Sequence, residues 1–134
     1  MSSDEVAFTV EDWPPAKNEA KSMLAAGHSH SDRVMKLLAA AETAIGSMPC
    51  PVFGADAVGL ELVLRSQLEP RADATNFLGG VGDVLESKDR RGVVDHLGDL
   101  VTISLYANDR QIQEVTYRWH RASDTGYSVR VWRL

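Results

Sequence analysis

Residues 57–66 alternate without a break, with Val58, Leu60, Leu62 and Leu64 on one parity and Gly59, Glu61, Val63 and Arg65 on the other. Successive side chains of a strand point to opposite faces, so this run predicts a half-buried β-strand. Pro70 closes it, because proline cannot donate to a ladder. A sheet wet on one side has to be packed on the other, and the chain offers two helices for that purpose. Ser31 can cap a helix over 32–45 that places Val34, Leu37, Leu38, Ala41 and Ile45 on one face. Gly46 and the prolines around Cys50 end it. A second helix is expected from Ala74 to Glu86, with Phe77, Leu78, Val81, Val84 and Leu85 inward.

That second helix carries Gly79, Gly80 and Gly82 in its interior, each costing roughly 1 kcal/mol relative to alanine. Close approach of another backbone would offset the cost, so a tight crossing is expected here. A phosphate loop is a poorer reading, because the Lys-Ser/Thr of such a loop is missing.

The other elements are shorter. Ala7–Val10 leans to strand and ends at Trp13-Pro14-Pro15, which stops a ladder or a helix. The stretch to Ser31 reads as a loop, and 87–99 as a charged connector. Val101, Ile103 and Leu105 alternate with polar neighbours, suggesting an edge strand or the end of a helical segment. Residues 112–121 place Val115, Tyr117 and Trp119 together on the expected core side, leaving Arg118 and His120, with Arg130 and Trp132, on the other. Residues 127–133 place Val129 and Val131 together, and Ser123-Asp124-Thr125-Gly126 supplies hairpin turn chemistry between the last two strands. The order β-loop-α-β-α-β-β predicts an α+β fold: one small domain over 1–134, with a mixed or antiparallel sheet packed by two main helices.

Composition narrows the function classes. The 134 residues are 44% hydrophobic and 25% charged, the balance of an ordinary globular chain. No apolar stretch approaches the roughly 20 residues of a membrane helix. The opening Met1-Ser-Ser-Asp-Glu puts acid where a signal peptide carries positive charge. With Cys50 as its single cysteine the chain has no internal disulfide, and a cytoplasmic location is expected. The net charge of −5 argues against a general nucleic-acid coat protein, yet residues 110–134 hold five arginines against Glu114 and Asp124. A basic face on an acidic chain is therefore open.

Two polar segments stand at element ends, where sites tend to form. Arg71-Ala-Asp-Ala-Thr-Asn76 enters the second helix, and Asn108-Asp-Arg-Gln-Ile112 feeds the strand at 112–121. If the fold brings Asp73 and Asp109 together, they offer Mg²⁺ the pair of carboxylates that a hard cation takes. The plainer reading is an N-cap and a turn. His28-Ser-His-Ser-Asp32 has a spacing that suits a transition metal in an extended loop, but a solvated loop explains it more simply. His96 and His120 stand alone, with no pairing to Ser104 or Cys50 that would make a nucleophile.

Taken together these segments resemble the RusA-type Holliday-junction resolvases. Phe8-Thr-Val, followed by Trp13-Pro-Pro-Ala-Lys-Asn18, is similar to their opening strand and Pro-Pro loop. Asp73-Ala-Thr-Asn76 followed by Asp83-Val-Leu85 is similar to their Asp-Leu-Asp-Asn…Asp-Ala-Leu helix. Asn108-Asp-Arg-Gln-Ile112 is similar to their Asp-Asp-x-Gln turn. The match spans most of the chain in order, except residues 87–100. The resemblance implies a homodimer acting on branched DNA, with Mg²⁺ (or Mn²⁺ in its place) held by carboxylates to activate water for phosphodiester hydrolysis. Carried over residue by residue, it implies Asp73 and Asp109 as catalytic metal ligands, Asp83 as a further acid, and Thr75 and Asn76 completing the shell. Lys17, Asn18, Arg71 and Arg110 become the DNA contacts, and strand parity adds Arg118, on the face with His120, Arg130 and Trp132 that either meets phosphate or is simply solvated. Three positions depart from the pattern: Thr75 replaces a carboxylate, Gly79 a lysine and Asn108 an acid. Loss of a ligand and a cation weakens metal binding and rate together. The rival expectation is thus a RusA-fold dimer without the chemistry, serving as a DNA-structure or protein-binding module.

Overall fold

The computed structural model describes residues 4–17, 31–87, 100 and 102–134. Its elements are β1 (Glu5–Val10), α1 (Ser31–Ile45), β2 (Val58–Ser66), α2 (Ala74–Leu85), a 3₁₀ turn at Asp109–Gln111, β3 (Ile112–Arg121) and β4 (Gly126–Arg133). The strands form one four-stranded mixed sheet in the order β1-β4-β2-β3. β2 and β3 are parallel, and β4 runs antiparallel to both β1 and β2. This is the α+β architecture that the alternation and helical periodicity predict.

One row of the sheet faces the helices. Val6 and Val10, Tyr127, Val129 and Val131, and Leu60, Leu62 and Leu64 are buried there against Val34, Leu37, Leu38, Ala41 and Ile45 of α1 and Phe77, Val81, Val84 and Leu85 of α2. Each such side chain contributes roughly 1.5–3 kcal/mol by leaving water. The opposite row stays open and carries Arg130 between Glu5 and Glu61. On this side the Trp132 ring lies on Gly59, where a Cβ would sit 2.2 Å from it.

The glycines of α2 do mark a crossing. A Cβ on Gly80 would lie 2.0 Å from the carbonyl oxygen of Pro15, and Pro14, Pro15 and Ala16 are themselves buried. Beside them the stem of Lys17 fills the space over Gly79, its Cδ 2.7 Å from where a Cβ would be.

Three expectations need correction. β3 and β4 do not form a hairpin: they flank β2 from either side. Residues 122–125 cross the end of β2, where the Ala122 N–H donates to the Ser66 carbonyl at 3.0 Å and Gly126 stands opposite Arg65. Turn chemistry reverses the chain, but it does not choose which strand fills the gap. β3 is in consequence an outer strand, so Val115 is 56% exposed rather than core, and Tyr117 and Trp119 are only half-buried. Finally, of the two readings of this segment the edge strand fails and the helical end stands, with Leu100 and Thr102 in a 3₁₀ turn that leads into 103–106. Ile103, Ser104, Leu105 and Tyr106 are all buried, tied to α2 and residue 53 by Leu105 N–H to Leu85 O and Phe53 N–H to Leu105 O, both 2.8 Å. Val101, the loop at 18–30 with Asn18, His28 and His30, and the connector at 88–99 with His96 lie outside the described residues.

Candidate functional site

Asp73 is the N-cap of α2, in an extended backbone conformation. Its Oδ1 accepts the Asn76 N–H at 2.9 Å and the Thr75 hydroxyl at 3.0 Å. These two bonds, the backbone one foremost, hold its pKa below the usual carboxylate range. Where the resemblance expects a second acid, Thr75 thus serves Asp73 as a donor. Asn76 likewise contributes its backbone N–H to the cap. Capping stabilises the helix by satisfying one of its unpaired N–H groups.

Asp109 opens the 3₁₀ turn. Asn108 and Gln111 cap each other there, the Asn108 N–H donating to Gln111 Oε1 at 2.8 Å and the Arg110 N–H to Asn108 Oδ1 at 2.9 Å. Gln111 Nε2 also donates to the carbonyls of Gly54 and Asp56, at 2.9 and 2.8 Å. The glutamine of the motif therefore locks this turn to the loop before β2. The Asp109 N–H donates to Glu86 Oε2 at 2.8 Å, and Glu86 is the C-cap of α2.

These contacts decide the geometry of the expected pair. The 12 residues of α2 rise about 18 Å, with Asp73 at one end and Asp109 beside the other. The two aspartates are not brought together within one chain. The cause is topological: β2 and β3 are parallel, so α2 must return the full length of the sheet, and the residue before α2 ends up opposite the residue before β3. Asp83 does not bridge the gap. It is half-buried and lies about 15 Å along the helix from Asp73. Among the described residues no group of three or more His, Cys, Asp or Glu side chains is placed to hold a metal ion. The described residues of one chain therefore do not by themselves assemble the carboxylate pair that the resemblance implies for Mg²⁺.

Two sets of cations differ. Arg65 pairs with Glu11 and Asp124, Arg121 with Glu69, Arg130 with Glu5 and Glu61, and Arg133 with Asp4 and Asp56. Lys17, Arg71, Arg110 and Arg118 are exposed, and no ion pair engages them among the described residues. They do not form one patch. Lys17 and Arg71 stand on the helix side at the N-terminal half of α2, Arg110 at its far end, and Arg118 on the open side of the sheet beside Val63. The aromatic residues of β3 are engaged as well: Tyr117 stacks on Phe77 at 6.4 Å, and Trp119 Nε1 donates to Ser66 Oγ at 2.9 Å.

The seating of Lys17 over Gly79 escaped the sequence reading. Its only signal is a glycine where the resembling family has a lysine, together with a lysine just after the Pro-Pro pair. A scan of the sequence against family models and a search of curated proteins find no match. No helix among the described residues is long and apolar enough to cross a membrane.

Proposed function

We propose that this chain is a RusA-like scaffold that binds branched DNA in the cytoplasm as a homodimer, without cutting it. The observation that carries the reading is the separation of Asp73 and Asp109 by the length of α2, with the Asp73 carboxylate engaged as a helix cap. Thr75 in place of an acid and Gly79 in place of a lysine point the same way. Lys17 and Arg71, exposed beside the N-terminal half of α2 and without ion partners among the described residues, supply the phosphate contacts. Such contacts fix the position of a duplex and make affinity fall with salt.

A second reading, hydrolysis by a pair of chains, is favoured by one feature. Because the two aspartates mark opposite ends of one helix, antiparallel pairing of two copies would turn Asp73 of one towards Asp109 of the other.

The test is a labelled four-way junction incubated with the chain and Mg²⁺ or Mn²⁺. Binding without nicks is expected, together with an affinity that drops on adding salt. Lys17→Ala and Arg71→Ala should each flatten the salt dependence by about one phosphate contact. Symmetric nicks that vanish in Asp73→Asn would overturn the binding-only reading in favour of the second. Asparagine caps a helix as well as aspartate does, so that variant keeps the fold. No affinity for the junction over a linear duplex would overturn both.

A further inference from the structure

The outer strand β3 carries a charge pattern that is complementary to itself under a two-fold axis. Among the described residues β2 is its only neighbour in the sheet, and Gln113, Glu114, Val115, Thr116, Arg118 and His120 are exposed along it. An unpaired strand edge is a template for another strand, and a chain usually blunts it with charge or covers it. Here the charges are arranged to attract. On the open side the sequence runs Glu114, Thr116, Arg118, and on the helix side Val115 and Tyr117 flank the same central Thr116. We propose that β3 pairs antiparallel with β3 of a second copy about Thr116, making one continuous eight-stranded sheet.

In that register Glu114 of each copy stands opposite Arg118 of the other, and Thr116 meets Thr116. On the helix side Val115, 56% exposed in the single chain, is covered by Tyr117 of the other copy. Residues 112–120 are paired throughout. Moving the axis one residue either way puts Glu114 opposite Thr116 or His120 and loses both ion pairs, so the register is specified. Directly opposed residues of an antiparallel pair are the closest side-chain neighbours a sheet offers, and opposite charges there stabilise while like charges repel. The arginine is not otherwise committed, since no ion pair engages Arg118 among the described residues. This deepens the dimeric part of the reading above, and because it sets Ile112 of one copy opposite His120 of the other, it carries the Asp109 end of one chain towards the Asp73 end of its partner, the arrangement the second reading needs. It is independent of DNA, because assembly is measured without it.

Sedimentation velocity of the full chain at micromolar concentration reads the assembly, with circular dichroism and thermal melting to confirm that each variant folds. The wild type is expected to be a dimer. Arg118→Glu and Glu114→Arg each turn two attractive pairs into two repulsive ones, and should each weaken self-association by about tenfold or more. Mixing those two variants one to one should restore a dimer, because each then presents two like charges to two opposite ones. The double variant Glu114→Arg/Arg118→Glu should also dimerise on its own. A monomeric wild type, a dimer indifferent to both reversals, or single variants that stay monomeric when mixed would each overturn the proposal. If Arg118→Glu alone fails to fold, Glu114→Arg and the double variant carry the same test. Failure of assembly with junction binding intact would leave the DNA reading standing on a single chain.

Discussion

β3 and β4 are neighbours in sequence, both alternate, and they come to opposite fates. In β4, Tyr127, Val129 and Val131 are all within 1% of complete burial, because β1 and β2 lie on either side and the helices cover the row. In β3 the same kind of row is half open, with Val115 more than half exposed, because among the described residues only β2 flanks it. The polar rows differ too. Arg130 of β4 has a carboxylate on each neighbouring strand, Glu5 and Glu61, whereas Arg118 of β3 has none among the described residues. Alternation states which residues share a face. The number of flanking strands, a non-local property, states how much that face is worth.

The contrast can be broken most forcefully by truncation. Val129→Ala should cost about 2–3 kcal/mol in urea unfolding, and Val115→Ala less than about 0.5 kcal/mol when measured under monomeric conditions. Equal losses would mean that the two strands are not inner and outer. A smaller effect sharpens the comparison at the two tyrosines. The Tyr127 hydroxyl is buried with no hydrogen-bond partner among the described residues, and burial, with Asp12 nearby, pushes its pKa far up. Tyr127→Phe removes an unsatisfied polar atom and should stabilise the fold by up to about 1 kcal/mol, seen as a higher melting temperature. Tyr117→Phe in half-buried β3 should leave stability nearly unchanged. Smaller again is the pair Arg130→Ala and Arg118→Ala. The first should lower stability, since it leaves Glu5 and Glu61 facing each other, and high salt should reduce the loss. The second should change nothing in the single chain.

The smallest effect concerns Asp73 and is a matter of pH. Its pKa is lower in the folded chain than in the unfolded one, so it contributes stability above the ordinary carboxylate pKa and loses it as pH falls through the folded value. Asp73→Asn should therefore show a shallower loss of stability below about pH 4 and little change at neutral pH. An unchanged acid limb would place the Asp73 carboxylate outside the cap.

Much of this was legible beforehand for physical reasons. The helix at 32–45 buries each of the five apolar residues its periodicity selects, because an isolated amphipathic face has one way to be covered. The glycines at 79, 80 and 82 announced a close crossing, and the backbone at Pro15 supplies it over Gly80. Asp73 as an N-cap and Asn108 in a turn were likewise readable from local chemistry. What could not be read was strand order. The turn residues 123–126 look the same whether the chain reverses beside its partner or over the end of β2. For the same reason the relation of Asp73 to Asp109 was hidden: only the parallel pairing of β2 with β3 sends α2 the length of the sheet and holds the two apart.

That separation is most directly measured as a distance within one chain. Cysteines placed at Thr75 and Arg110, with Cys50→Ser and dilution into unlabelled protein, would carry two spin labels for dipolar spectroscopy. A distance of about 20 Å or more is expected from the rise of α2. A distance under about 10 Å would bring the Asp73 and Asp109 ends together and contradict the account.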